Sequence, residues 1–157
     1  MLVLSHGRSG LETRNRAHGK RNGTGQRAAI QILSRFHKSQ LHPHPLPDAP
    51  NLSNVTDMSY MFQNSSSLNQ PIDGWDVSHV TNMTGVFFDA ISFNQPLNNW
   101  DVSNVSNTTG MFYRATDFNQ SLDNWSTSNV TEMAYMFFGA TDFNGGIQAW
   151  MLVKSWT

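Results

Sequence analysis

The chain has 157 residues and a mass of 17.7 kDa, the size of one ordinary domain or of a short repeat array. Charged residues make up 13% and apolar ones 38%, both below ordinary globular shares, so polarity must come from Asn, Ser and Thr rather than from ions. Cysteine is absent, which excludes disulfides, thiolate metal sites, cysteine nucleophiles and cysteine-linked lipid anchors, and no apolar run approaches the roughly 18 residues of a membrane helix.

Residues 1–50 carry eight of the ten Lys and Arg against two acids, Glu12 and Asp48, a balance of +6. Residues 51–157 carry Arg114 and Lys154 against nine acids, a balance of −7. The Pro- and His-rich stretch His42–Pro50 marks the border between two unlike pieces. The basic segment reads as a disordered tail in which Ala28–Lys38 can form a short amphipathic helix. The alternatives are nonspecific contact with nucleic acid or an anionic membrane, or a targeting sequence. No specific nucleic-acid partner is expected. Met1–Leu4 is too short for the apolar region of a signal peptide.

From residue 52 to about 151 the chain repeats every 25 residues. Trp75, Trp100, Trp125 and Trp150 share one register, and Val55, Val80, Val105 and Val130 another. Asn69, Asn94, Asn119 and Asn144 share a third, and Phe62, Phe87, Phe112 and Phe137 a fourth. Further rows run through Leu68, Phe93, Phe118 and Phe143, and through Met58, Met83, Thr108 and Met133 with one polar lapse. A period of this length is the signature of stacked repeats, each covering the apolar face of the next.

Within the second unit, Val80, Met83, Val86, Phe87 and Ala90 are spaced as one face of a helix. Ser78 stands where an N-cap would, although Gly85 interrupts the segment, so the helix should be short. Phe93–Asn99 is turn-rich and holds Pro96. Trp100-Asp101-Val102-Ser103 alternates apolar and polar residues and reads as a short strand. The predicted fold class is therefore an α/β repeat: a leucine-rich-repeat-like solenoid of about four 25-residue coils over 51–157, each with a short parallel strand and a short helix. The Asn row is expected to bond each amide to the next coil's backbone, with a ligand-binding row as the alternative. The Trp row is expected in the core, with a carbohydrate-stacking platform as the alternative.

The phrases Asn54-Val-Thr-Asp-Met-Ser-Tyr-Met-Phe62, Phe93-Asn-Gln-Pro-Leu-Asn-Asn-Trp-Asp-Val-Ser103 and Asn129-Val-Thr-Glu-Met-Ala-Tyr-Met-Phe137 carry a family likeness. They resemble the 25-residue repeat of BspA-like leucine-rich-repeat surface proteins, in the branch first described from mycoplasma proteins of unknown function. The resemblance implies a repeat scaffold on secreted or surface proteins, linked to adhesion and generally without catalysis. It supplies no catalytic residue. Departures from the pattern are Thr108 for Met, Ser121 for Pro, Ser126-Thr127 for Asp-Val, Gly145-Gly146 for Gln-Pro, and Met151-Leu152-Val153-Lys154 at the start of a fifth unit.

No Walker loop, dinucleotide fingerprint, HExxH or GxSxG motif is present, and His79 is the one histidine of the array. No catalytic, cofactor or metal residues are assigned, although calcium held between adjacent coils is conceivable. Of ten Asn-x-Ser/Thr sequons, only exposed ones could carry glycans along a eukaryotic secretory route. The expected function is a non-enzymatic surface or extracellular module that binds protein or glycan. Candidate binding positions are the outward Asp76, Ser78, His79, Asp101, Ser103 and Asn104. The alternative is a purely structural array that self-associates end to end through exposed end coils. With few coil–coil interfaces, stability is expected to be marginal, as for a fragment of a longer array.

Overall fold

The computed structural model describes residues 49–147 and Trp150. The basic segment up to residue 48, with its expected helix at Ala28–Lys38, and the start of a fifth unit at Met151–Lys154 lie outside the described residues. The rest forms four stacked coils, each ending on a row tryptophan: 51–75, 76–100, 101–125 and 126–150.

The coils contain neither the helix nor the strand that the spacing predicts. Among the described residues there is no α-helix and no sheet, and parallel pairing is confined to isolated bridges linking Asp57, Asn82, Asn107 and Glu132 in turn. The α/β leucine-rich-repeat-like solenoid is therefore overturned. The reason lies in the backbone of 58–64 and its repeats. Bonds from Met61 N–H to the Met58 carbonyl, Gln63 to Tyr60 and Ser65 to Phe62 close three-residue turns, not the four-residue turns of an α-helix. Left-handed residues break any longer helical run. They fall on two registers, Tyr60, Gly85, Gly110 and Tyr135 (φ 57°, 58°, 59° and 58°) and Asn64, Asp89, Arg114 and Gly139 (φ 59°, 56°, 55° and 74°). Gly85 and Gly110 thus occupy positions where a side chain is strained, and are not weak points of a helix.

This winding turns alternate N–H groups along the stack. Met58, Tyr60, Phe62 and Asn64 donate to the carbonyls of Asn82, Thr84, Val86 and Phe88 at 2.8–2.9 Å. Met83, Gly85, Phe87 and Asp89 donate likewise to Asn107, Thr109, Met111 and Tyr113. Thr108, Gly110, Phe112 and Arg114 donate to Glu132, Ala134, Met136 and Phe138. These bonds satisfy backbone groups that a buried turn would otherwise leave orphaned, at a cost of about 1–3 kcal/mol each.

The predicted strand at Trp100–Ser103 is replaced by two successive turns, with Trp100 N–H on the Leu97 carbonyl and Val105 N–H on that of Val102. The apolar alternation still marks what is buried, since Trp100 and Val102 are both inside. So are Val80, Met83, Val86, Phe87 and Ala90, because a run of three-residue turns returns to the core at nearly the helical interval.

Aromatic rows fill the interior. Phe62, Phe87, Phe112 and Phe137 stack with centroids 5.6, 5.3 and 5.4 Å apart. The neighbouring row joins each coil internally, with Phe87 on Phe93 at 4.1 Å and Phe112 on Phe118 at 4.0 Å. The tryptophans lie in the core, as their register suggested, and their indole N–H groups are met. Trp100, Trp125 and Trp150 donate to the carbonyls of Ile72, Leu97 and Leu122 in the preceding coil at 2.9, 2.8 and 3.1 Å. Trp125→Phe removes one of the two donors to the Leu97 carbonyl, which keeps the Trp100 N–H, and is expected to lower unfolding free energy by about 0.5–1.5 kcal/mol, read from urea unfolding. Thr108, the polar lapse in the methionine row, is buried and donates its hydroxyl to the Glu132 carbonyl at 3.3 Å.

Candidate functional site

The six outward residues singled out by the sequence come together on corresponding corners of the second and third coils. Asp76 and His79 are exposed and Ser78 is half-buried. The Asp76 carboxylate accepts from the Ser78 N–H at 3.1 Å and from the Ser78 hydroxyl at 2.6 Å, and that hydroxyl also lies 3.2 Å from His79 Nδ1. One coil on, the Asp101 carboxylate accepts from the Ser103 N–H at 3.0 Å. Asn104 ties the corners together by donating its amide to the Ser78 carbonyl at 2.8 Å, and Asn129 does the same to Ser103 at 2.7 Å. Ser78 does not cap a helix, because no helix follows. The Asp-x-Ser phrase is a side-chain-closed turn that bends the chain where a strand was expected.

Hydrogen bonds from Ser78 hold the Asp76 carboxyl below the ordinary carboxylate value, and those from Ser103 do the same for Asp101. Burial and, to a lesser degree, the negative charge of Asp76 work against that lowering at Asp101. A carboxyl lowered on folding contributes stability that is complete above its unfolded value, about 3.9, and is lost as pH falls through the folded value. Both groups face water, so the effect is small. Ser103→Ala is expected to flatten the acid limb of the melting-temperature profile below about pH 4, measured by thermal melts across that range.

A second edge carries the asparagine row. Asn94, Asn119 and Asn144 donate their N–H groups to the side-chain oxygens of Asn69, Asn94 and Asn119 at 3.0, 2.9 and 2.8 Å. The structural reading of this row is therefore what forms, at an exposed rim and not in the core. Several sequon asparagines are also held by their amides. Asn82 donates to Asp57, Asn107 to Glu132, Asn104 to Ser78 and Asn129 to Ser103. Among the described residues no three acids or histidines gather as a group that could hold a metal ion.

Sequence reasoning passed over an aromatic strip. Phe88, Tyr113 and Phe138 stack at 4.5 and 5.1 Å on the surface, and Tyr135 meets Phe138 edge-on at 6.2 Å. Tyr60, Tyr135 and Phe138 are 46%, 70% and 57% exposed. The signal was present as a further 25-residue register, Gln63, Phe88, Tyr113 and Phe138, adjacent to the Phe62 row and overshadowed by it. Stacking covers both faces of Tyr113, while Phe138 ends the strip.

These coils define a protein built by stacking one 25-residue unit through backbone ladders and aromatic rows. The chain belongs to the family described as "Mycoplasma protein of unknown function, DUF285", whose model matches residues 31–150. No curated protein and no solved structure matches the chain. Among the described residues no helix is long and apolar enough to cross a membrane.

Proposed function

We propose that the chain is a non-enzymatic repeat module of the BspA-like surface type, acting at the cell surface or outside the cell by binding protein or glycan. The observation that carries this reading is the exposed aromatic strip on a surface otherwise built from Asn, Ser, Thr and Asp. Exposed Tyr and Phe are common anchors at interfaces, where they offer large contact area with little conformational freedom to lose. The rim of Asp76, Ser78, His79, Asp101, Ser103 and Asn104 supplies polar contacts of fixed geometry.

The test is a screen of the full chain against glycan and extracellular-protein arrays, repeated with Tyr135→Ser/Phe138→Ser and with Asp76→Ala/His79→Ala. Binding to a defined ligand that falls at least about tenfold in the aromatic variant is the expected result. Binding untouched by both variants, or carried wholly by the basic segment 1–50, would sink the reading.

A further inference from the structure

We propose that the Asp89–Arg114 edge of the second and third coils is a contact face for a second copy of this chain, docked about a two-fold axis so that Arg114 of each copy meets Asp89 of the other. The proposal rests on the protein-binding reading above and names the partner. Between residues 49 and 150 Arg114 is the one Lys or Arg against nine acids, so this is the one edge where two arrays can offer each other opposite formal charges. Within the chain the pair is only half used. Arg114 Nε lies 3.3 Å from Asp89 Oδ1, and the Arg114 side chain is 59% exposed. Among the described residues the two terminal nitrogens of Arg114 and Asp89 Oδ2 have no bond. Both residues also sit at a strained backbone position. Asp89 and Arg114 have φ of 56° and 55°, in a register where Asn64 and Gly139 are the residue types that accept it readily. A side chain as large as arginine persists there only where its surroundings hold it, and such positions cluster at binding and switch sites. The fourth coil leaves the room, since a Cβ at Gly139 would stand 2.9 Å from Arg114 Cγ.

The half-used pair selects its occupant. Its free donors adjoin its free acceptor, and a two-fold axis between two such pairs sets donors on acceptors twice, closing a ring of two carboxylates and two guanidinium groups. A lone anion would meet the Arg114 donors but also the Asp89 carboxylate, and a lone cation would meet the reverse. A copy of the pair answers both. In an isologous interface every contact is made twice, so one self-complementary pair counts double. The surroundings suit such a contact. Phe88 and Tyr113, which immediately precede the two charged residues, stack at 4.5 Å. Ile91, two residues beyond Asp89, is 44% exposed. Apolar side chains around an ion pair exclude water from it, and Tyr and Arg are residue types that carry much of the binding energy at interfaces. Asp89, Ile91, Tyr113 and Arg114 belong to the two inner coils, which have a neighbouring coil on each side.

The experiment follows the mass of the full chain by sedimentation velocity from micromolar to about millimolar concentration, with no other molecule added. The expected result is a monomer–dimer equilibrium. Asp89→Arg alone and Arg114→Asp alone are each expected to weaken it at least about tenfold, because like charges then face each other twice. An equimolar mixture of the two variants is expected to restore the dimer, since each carries the charges that the other needs. Ile91→Asp, at an exposed position outside the strained register, is expected to weaken the dimer as well, and thermal melts of every variant separate a lost contact from a lost fold. A chain that stays monomeric throughout, a dimer indifferent to Ile91→Asp, or charge variants that melt like the parent and still fail to pair in the mixture would each overturn the proposal. A monomer that nonetheless binds a defined protein or glycan through the aromatic strip would sink this proposal and leave the adhesive reading standing.

Discussion

Phe112→Ala is expected to lower the unfolding free energy by about 3–5 kcal/mol. Phe112 is wholly buried and stacks on Phe87 at 5.3 Å, Phe118 at 4.0 Å and Phe137 at 5.4 Å, so its removal opens a hole between three coils at once. The coils around it are held by backbone bonds that cannot move inward without breaking, so collapse into the hole is limited. Denaturant unfolding followed by tryptophan fluorescence reads the loss. A change below about 1 kcal/mol would show that the aromatic row fills space without supporting the stack.

Gly85→Val is expected to cost about 2–3 kcal/mol, from a β-branched residue held at φ 58° and from contact with the Tyr60 ring, whose nearest carbons lie 2.5 and 2.6 Å from the Cβ position. Gly110 separates the two contributions. It has the same φ, but its nearest neighbours are 3.8 and 3.9 Å away, so Gly110→Ala carries the backbone cost alone, about 1 kcal/mol. The sign of that second measurement discriminates sharply. In a helix the same change would stabilise by roughly 1 kcal/mol, and here it destabilises.

The period, the coil borders and the identity of the core were legible in the residues. Every register with one apolar type in all four units is buried in at least its inner coils, and the Asn and Trp rows play the structural parts their positions suggested. Secondary structure was not legible, for a definite reason. Val80, Met83, Val86, Phe87 and Ala90 recur at an interval that helical turns and three-residue turns share, so periodicity alone cannot separate them. Gly85 and Gly110 held the distinguishing information, since glycine recurring in the middle of a helix-like phrase signals a left-handed backbone. Tyr60 and Tyr135 obscured it, being bulky residues that accept the same conformation. The strand at Trp100–Ser103 failed because Asp101 closes a local turn with Ser103, a competition that the alternation of Trp and Val does not reveal. The outward placement of Asp76, His79, Asp101 and Asn104 followed from their positions in the repeat. The aromatic strip was missed because its register varies in residue type, from Gln63 to Phe88, Tyr113 and Phe138.

The ladders between coils also give the molecule an electrical axis. Each peptide in the four columns points its carbonyl toward the first coil and its N–H toward the last, and two columns run the other way, through Thr81, Ser106 and Thr131 and through Ser92, Asp117 and Asp142, so that two columns' worth is left uncancelled. Each such unit carries a dipole of about 3.5 D, and dipoles aligned head to tail add as they do along a helix. The stack therefore resembles a bundle of short parallel helices in its field, although it contains no helix. Its last coil is the positive pole and its first coil the negative pole. Such a particle turns in an applied field, and transient electric birefringence would register the alignment. Lengthening the stack by further coils would raise the moment in proportion to their number.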